Sequence, residues 1–503
     1  MQKETKNALI SVFNKEGLND LLEILYKKSY KFISTGGTEN FIKSLGYDVK
    51  SVESITGFPS MLGGRVKTLH PNILGGILAR LDNTDDLNDI EKHKLTPIEI
   101  VIVDLYPFEE TVSKGVTHDE IIEKIDIGGI TLLRAAAKNY NHTLVVSHKN
   151  QYPALIELLK KDTITLDDRK EFAKQAFMIT SHYDSLIWRY FGGEINEGLI
   201  LNALEKKTLR YGENPHQKGF FYGKLEEMFD IYGEKEISYN NILDIDAAVN
   251  LIAEFNTPTV AILKHNNACG VASRQTLLQS WHDALAGDPV SAFGGIIITN
   301  QTVDTETAIE IDKLFYEVLI APEFDKEAFD LLSKKPKRIL LRQKPFKMPE
   351  YQLRSALNGT LVQEKDLAKD NPNEWKIVTN QKPTESEIED LKFANIIVKH
   401  TKSNTIVLAK NRQLIGSGTG QTSRVDALNQ AIAKASAFRF DTVGAVMASD
   451  AFFPFPDCVE IACKAGIKTV IQPGGSIKDK DSIDFCNNNN MSMILTGTRH
   501  FKH

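Results

Sequence analysis

The run EIVIVDL at 99–105, stopped by Pro107, narrows the fold more than any other segment of the chain. Ile100, Val101, Ile102 and Val103 leave no polar alternation, so both faces of this strand must be covered, as in the interior of a parallel sheet. Around it, short β-branched runs alternate with amphipathic stretches. Ala8–Val12 reads as a strand, Leu18–Lys28 has apolar residues at helical spacing, and Lys31–Ser34 is a second strand ended by a Gly36-Gly37 turn. Glu39–Leu45 then reads as a helix and Thr143–Ser147 as a later strand. That alternation predicts βαβ units around a parallel sheet.

A chain of 503 residues is too long for one core, so about two to four domains are expected. Residues 164–205 are mostly polar and helical in character, broken by Gly192-Gly193, and the boundary is expected near Gly198. Beyond it a second α/β body is predicted, with strands at Thr259–Leu263, Gly295–Thr299, Val318–Ala321, Thr405–Ala409, Ala445–Ala448 and Thr469–Gln472. Lys334–Pro349, rich in Lys, Arg and Pro, reads as a surface connection, and no short internal repeat is visible.

The net charge of -6 argues against a protein held to nucleic acid by charge alone. Cys269, Cys458, Cys463 and Cys486 form no CxxC pair, which suits free thiols in a reducing compartment. The polar start MQKETKN has no leader-like apolar core, and no stretch approaches the ~20 apolar residues of a membrane span. A cytoplasmic protein with no membrane contact is expected.

Two constellations carry chemistry. In the first, Ser34-Thr35-Gly36-Gly37-Thr38 joins a strand to a helix, which presents free backbone N–H groups suited to a phosphate. Taken alone it reads better as a plain capped turn. Ser11 and Lys15 follow the preceding strand, and ligands gather at strand carboxyl ends in open α/β sheets. Arg65, Lys67 and Thr68 follow Gly63-Gly64, and Tyr106 ends the buried strand. Asp126 precedes Gly128-Gly129, which opens a helix with Arg134 and Lys138 at i and i+4 on one face.

In the second, Lys264-His265 ends a strand and enters the polar loop Asn266-Asn267-Ala268-Cys269-Gly270. Cys269 reads as a packed thiol rather than a nucleophile. P-C-x-x-C is absent, and His118-Asp119-Glu120 has no such cysteine pair to join, which excludes a zinc deaminase.

With the first set of segments, a further series completes a resemblance. It comprises RYGENPHQ at 210–217, DPVSAFGG at 288–295, IAPE at 320–323, GTGQTSRV at 418–425, SDAFFPF at 449–455, QPGGS at 472–476 and the terminal TRHFKH at 498–503. The whole chain resembles the bifunctional purine-biosynthesis family that joins AICAR transformylase to IMP cyclohydrolase. The resemblance implies an α/β protein with a methylglyoxal-synthase-like parallel-sheet domain over 1–198. A larger α/β transformylase region with cytidine-deaminase-like subdomains would follow over 199–503.

It also implies cyclisation at Lys67, Tyr106, Asp126 and Lys138, with nucleotide phosphate near Ser11, Lys15, Ser34, Thr35, Gly36, Gly37, Thr38, Arg65 and Thr68. Formyl transfer would fall to Lys264 and His265, with Asn411 orienting the formyl group. Nucleotide and folate would meet Arg210, Tyr211, Phe293, Gly294, Glu317, Arg424, Phe452, Pro454, Arg499 and His503. The ligands would be AICAR, formyl-AICAR and 10-formyltetrahydrofolate as cosubstrate, with no catalytic metal, on a homodimer. The family usually has proline where Ala268 stands, so a less rigid Lys264-His265 loop is expected. A non-catalytic purine-ribonucleotide sensor or scaffold is the alternative, and it would have eroded the proton-transfer residues. Lys67, Tyr106, Asp126, Lys138, Lys264, His265 and Asn411 are all present.

Overall fold

In a computed structural model of the chain, residues 6–161, 163–195 and 197–503 are described. The polar start read as lacking a leader falls largely on residues 1–5, outside them. The chain divides between Leu204 and Glu205, slightly beyond the break expected at Gly198.

The first unit holds β1 (Lys6–Ser11), β2 (Tyr30–Ser34), β3 (Val49–Ser51), β4 (Ile100–Val103) and β5 (Leu144–Val146), in the order β3-β2-β1-β4-β5. Every neighbouring pair is parallel. All of β4 is buried, as its unbroken apolar run requires. Helix Leu18–Lys27 turns Leu18, Leu21, Leu22 and Leu25 into the core, an i, i+3, i+4, i+7 stripe. The second helix starts at Gly36 rather than Glu39, so Gly36-Gly37 form its first turn. Winding reverses between β1 and β4, which leaves a crevice at their carboxyl ends.

In the second unit β6 (Lys207–Leu209) pairs with β7 (Gly219–Phe221). Next come β8 (Phe229–Tyr232), β9 (Thr259–Lys264), β10 (Asn267–Ser273), β11 (Ile296–Thr299), β12 (Val318–Ala321) and β13 (Ile339–Gln343). A separate hairpin, β14 (Tyr351–Ala356) and β15 (Gly359–Glu364), precedes β16 (Lys376–Ile377). The chain ends with β17 (Ile406–Lys410), β18 (Gln413–Gly418), β19 (Val446–Ser449), β20 (Thr469–Gln472) and β21 (Ser492–Leu495). The main sheet has 12 strands in the order β16-β21-β20-β19-β17-β18-β10-β9-β11-β12-β13-β8.

Read outward from the β10–β18 junction, the two halves have the same order. A hairpin, β9–β10 or β17–β18, pairs antiparallel with β11 or β19. Two further parallel strands and one antiparallel edge strand follow in each half. This duplication lies in topology, where no short-period search could find it. Helices Tyr239–Ile252 and Glu385–His400 cover one face, on a core that runs through both halves. The opposite face carries a separate core in each half.

Lys334–Pro349 is not only a surface connection. It contains β13, whose Ile339, Leu340 and Leu341 are buried between flanking cations. Among the described residues no helix is long and apolar enough to cross a membrane.

Candidate active sites in the two units

At the switch point of the first unit, pairing of Ser11 with Val103 and of Ile10 with Ser34 sets three loops side by side. Asp104, just past β4, accepts hydrogen bonds from the backbone N–H groups of Phe13 and Asn14, and so fixes the loop after β1. Two of the hydroxyls expected to meet phosphate are committed to the fold. Ser34 Oγ donates to Ile10 O at 2.6 Å, while Thr38 Oγ1 donates to Val12 O at 2.8 Å and accepts from Val12 N at 3.1 Å. Thr35 Oγ1 is buried and has no partner among the described residues.

The groups left over are the first amides of helix Gly36–Ser44, which have no carbonyl partner in their own helix, together with two half-buried lysines. Lys67 Nζ lies 3.4 Å from where a Cβ on Gly36 would sit, and Lys15 Nζ lies 4.0 Å from the same point on Gly37. Gly36 has φ 55, so glycine there serves both the backbone and the close approach. Lys15 Nζ also donates to Val12 O at 2.7 Å. Arg65 is more exposed and turns toward Glu123, 3.8 Å away.

Asp126 faces this crevice. Its Oδ1 accepts from Gly129 N at 2.6 Å, and its own N–H donates to Tyr183 Oη at 2.9 Å. A Cβ on Gly129 would come within 2.6 Å of the carboxylate, and one on Gly128 within 2.8 Å of Thr68 Oγ1. Burial raises the Asp126 carboxyl above its usual range, against the pull of the Gly129 and Tyr106 backbone and of Lys67. Burial, and then the Asp126 charge, raises the Tyr106 phenol. The Asp126 charge therefore links Lys67 on one side to Tyr106 on the other.

Lys138 does not join them. It is exposed in the last turn of helix Gly128–Lys138, about 15 Å along the axis from the end that meets Asp126. Its assignment rests on the resemblance and not on position.

In the second unit most of the expected residues fall on one edge of the main sheet. Lys264 and His265 end β9, Phe293 and Gly294 precede β11, and Glu317 precedes β12. Across the β10–β18 junction, the end of β18, the start of β17 and the end of β19 lie on this same edge. They bring Gly418, Asn404 and Asp450 there. His265 and Asn266 form a two-residue turn with φ 53 and 65, the primed geometry of tight hairpins. Asn266 N donates to Asp244 Oδ1 at 2.6 Å, and Lys264 Nζ donates to Phe293 O at 2.7 Å.

The expected loop at 266–270 is thus a tight turn followed by strand β10. Ala268 is buried and paired with Leu263, so this position belongs to the β9–β10 hairpin rather than to an open loop. Burial pushes the Cys269 thiol up to about 12, which fits a packed residue. Glu317 accepts from Asn241 Nδ2 at 2.8 Å and pairs with Lys235 at 3.0 Å. Burial works to raise its carboxyl, but these partners hold it below the usual range. Arg210 lies against its neighbour Tyr211, 5.6 Å from the ring centre.

Farther along the edge, Arg424 Nη2 pairs with the buried Asp450 at 3.1 Å, and Phe452 and Pro454 are exposed beside them. Arg499, Phe501 and His503 belong to the same cluster. The Arg499 and Arg424 guanidinium groups lie 4.5 and 5.8 Å from the Phe501 ring centre.

Asn411 is elsewhere. It occupies the turn between β17 and β18, the counterpart of His265 in the other half, with φ 52 and its backbone N–H held by Asp390 at 2.8 Å. Lys410 Nζ donates to Val443 O at 2.7 Å, as Lys264 does to Phe293 O. Ala272 of β10 pairs with Gln413, so this turn lies about 17 Å along β10 from Asn267, on the opposite edge. Because β10 and β18 run antiparallel, equivalent turns of the duplicated halves point to opposite edges. The asparagine on the working edge is Asn404, whose Nδ2 donates to Gln421 O at 3.0 Å. Its only sequence signal was its place at the start of the Thr405–Ala409 strand.

The model of the AICARFT/IMPCHase bienzyme family matches residues 136–434, and the MGS-like domain model matches residues 17–131. The bifunctional purine biosynthesis protein PurH of Bacteroides thetaiotaomicron is 57% identical, covering 100% of this chain and 99% of that protein. The chain belongs to the AICARFT/IMPCHase bienzyme family. PurH of Aquifex aeolicus is 47% identical over 99% of this chain and 100% of that protein, and PurH of Lactobacillus acidophilus is 44% identical over the same shares. Membership in a bienzyme family agrees with two units that each carry an edge of reactive groups, and it leaves no room for a non-catalytic sensor.

Proposed function

We propose that the second unit transfers a formyl group from 10-formyltetrahydrofolate to the amine of AICAR, and that the first unit closes formyl-AICAR to IMP with loss of water. The carrying observation is the separation of reactive groups, with Lys67, Tyr106 and Asp126 at one switch point and Lys264 and His265 on a different sheet. Ring closure joins two ends of one ligand, so it asks for orientation and for stabilisation of a developing oxyanion rather than a protein nucleophile. Lys67 and the amides of Gly36 and Gly37 supply positive charge. Asp126 and Tyr106 handle the proton.

Formyl transfer starts from an amine whose lone pair is delocalised. His265, exposed on its tight turn, accepts the proton, and Lys264, held by Phe293 O, offers a cation near the formyl group. Exposed Phe293 and Phe452 suit a flat heterocycle. A cytoplasmic setting belongs to the same reading, and all four cysteines are free.

Cutting between Leu204 and Glu205 should separate the activities. The front fragment should cyclise supplied formyl-AICAR without folate, measured by IMP absorbance; a folded but inert fragment would sink the assignment.

A homodimer with shared transformylase sites is part of this reading. From Lys264 on β9 to Asp450 on β19 is four strand steps, about 19 Å, a long reach for one formyl-transfer centre. Hairpin β14–β15 also stands apart with Leu353, Leu361 and Val362 exposed, and an isolated two-stranded hairpin is marginal in water. Mixing inactive His265→Ala and Arg424→Ala chains should restore about a quarter of the transformylase activity by random pairing of subunits. No recovery after verified exchange would exclude sharing.

A further inference from the structure

The last residues of the chain alternate between outside and inside. Arg499, Phe501 and His503 are exposed, whereas His500 is 3% exposed and Lys502 is half-buried. The inward residues are fastened. His500 Nδ1 lies 2.6 Å from Asp366 Oδ2, and Nε2 lies 3.3 Å from Asp370 Oδ2. The His500 backbone N–H donates to Asp450 O at 3.1 Å. Lys502 N donates to Ser403 Oγ at 3.0 Å, Ser403 N donates to Lys502 O at 2.9 Å, and Lys502 Nζ donates to His400 O at 3.0 Å.

Asp366 and Asp370 lie in the strap that leaves β15 to join the two halves. Helix Glu385–His400 holds that strap. Asn395 Nδ2 donates to Asp370 Oδ2 at 2.5 Å, and Lys399 Nζ donates to Ala368 O at 2.8 Å. Lys399 is itself buried and paired with Glu254 at 2.7 Å. An imidazole buried between two carboxylates is stable when both ring nitrogens donate, because charge-assisted hydrogen bonds offset the desolvation.

We propose that His500, gripped by Asp366 and Asp370, is a positioning residue for formyl transfer. It sets the tail so that Arg499, Phe501 and His503 stand beside Arg424 on the working edge. The inference rests on the transformylase reading of that edge. Nothing in the tail's own composition would order it, since among the described residues it forms no helix or strand and its outward side chains pack on one another and on Arg424. The clamp and the Lys502–Ser403 pair supply that order.

A pH signature accompanies this arrangement. Burial alone pushes the His500 imidazole down, but the hydrogen bonds to Asp366 and Asp370 outweigh it and raise it to about 9. The charged groups around the clamp are Asp366 and Asp370 on the strap, Lys399 on the helix, Asp450 at the end of β19 and Lys502 in the tail. Because the folded value is raised, the clamp is intact below the ordinary histidine range and is lost as pH rises through about 9.

The test uses the full-length chain with His500→Gln and, where that variant fails to fold, the more conservative Asp366→Asn. Formyl transfer should show KM for AICAR and folate raised about tenfold with kcat changed far less, the mark of lost ground-state and transition-state binding alike. Ring closure of supplied formyl-AICAR should be unchanged. In the wild type the transfer KM should climb as pH rises through about 9, and His500→Gln should lack that climb. Unchanged KM in the variants would overturn the proposal. So would a fall in transfer that only tracks lost thermal stability, with KM constant. A wild type that cyclises but never transfers formyl would overturn the transformylase reading together with it.

Discussion

Replacing His265 by alanine should cut formyl transfer by about two to four orders of magnitude, the usual loss when a general base is removed. Ring closure of supplied formyl-AICAR should proceed at the wild-type rate, because Lys67, Tyr106 and Asp126 belong to a separately built unit. The tight turn with φ 53 and 65, tied to Asp244 by Asn266 N, holds the imidazole outward at a strand end. The same experiment separates the two asparagines. Asn404→Ala should lower transfer, since Asn404 shares the edge with Gly418 and Asp450. Asn411→Ala should leave turnover within about twofold and cost about 1–2 kcal/mol of stability, because alanine tolerates the left-handed turn less well. Initial rates and thermal midpoints of the variants decide it; a loss of turnover in Asn411→Ala with Asn404→Ala unaffected would reverse the placement.

Asp126→Asn should reduce ring closure by about 10²–10⁴ while formyl transfer is unaffected. The carboxylate is fixed by Gly129 N and sits in a partly buried crevice, so the amide preserves shape and removes only the proton-accepting charge. Since burial raises the Asp126 carboxyl, the wild-type cyclisation rate should fall on acidification at a pH above the ordinary carboxylate range. The Asn variant should show no such limb. A matching acid limb in Asp126→Asn would assign it to another group, with the half-buried Asp104, also raised by burial, first in line. Lys67→Ala should fail in the same step through loss of positive charge beside Gly36.

Much of the fold was readable from periodicity. The apolar run at 100–103 lies buried in the sheet, and the six strands expected beyond Thr259 all form within a residue or so of their expected bounds. β13 escaped because cations at Lys334, Lys335, Lys337 and Arg338 mask a short buried core, and β10 because glycine and cysteine interrupt its pattern. Hydroxyls were the least readable groups in the first site. Ser34 and Thr38 suit a phosphate by type, yet strand neighbours far away in sequence already occupy both.

The sequence by itself determined the chemical inventory, the two-body organisation and most of the buried strands, because these follow from local composition and spacing. Only the tertiary structure decided which groups share an edge. That depends on the β10–β18 pairing, a long-range contact with no local signal. This pairing turns one half of a duplicated sheet against the other, so His265 faces the working edge and its counterpart Asn411 faces away. Likewise helix length, at 1.5 Å of rise per residue, carries Lys138 away from Asp126 although twelve positions later in sequence seems near.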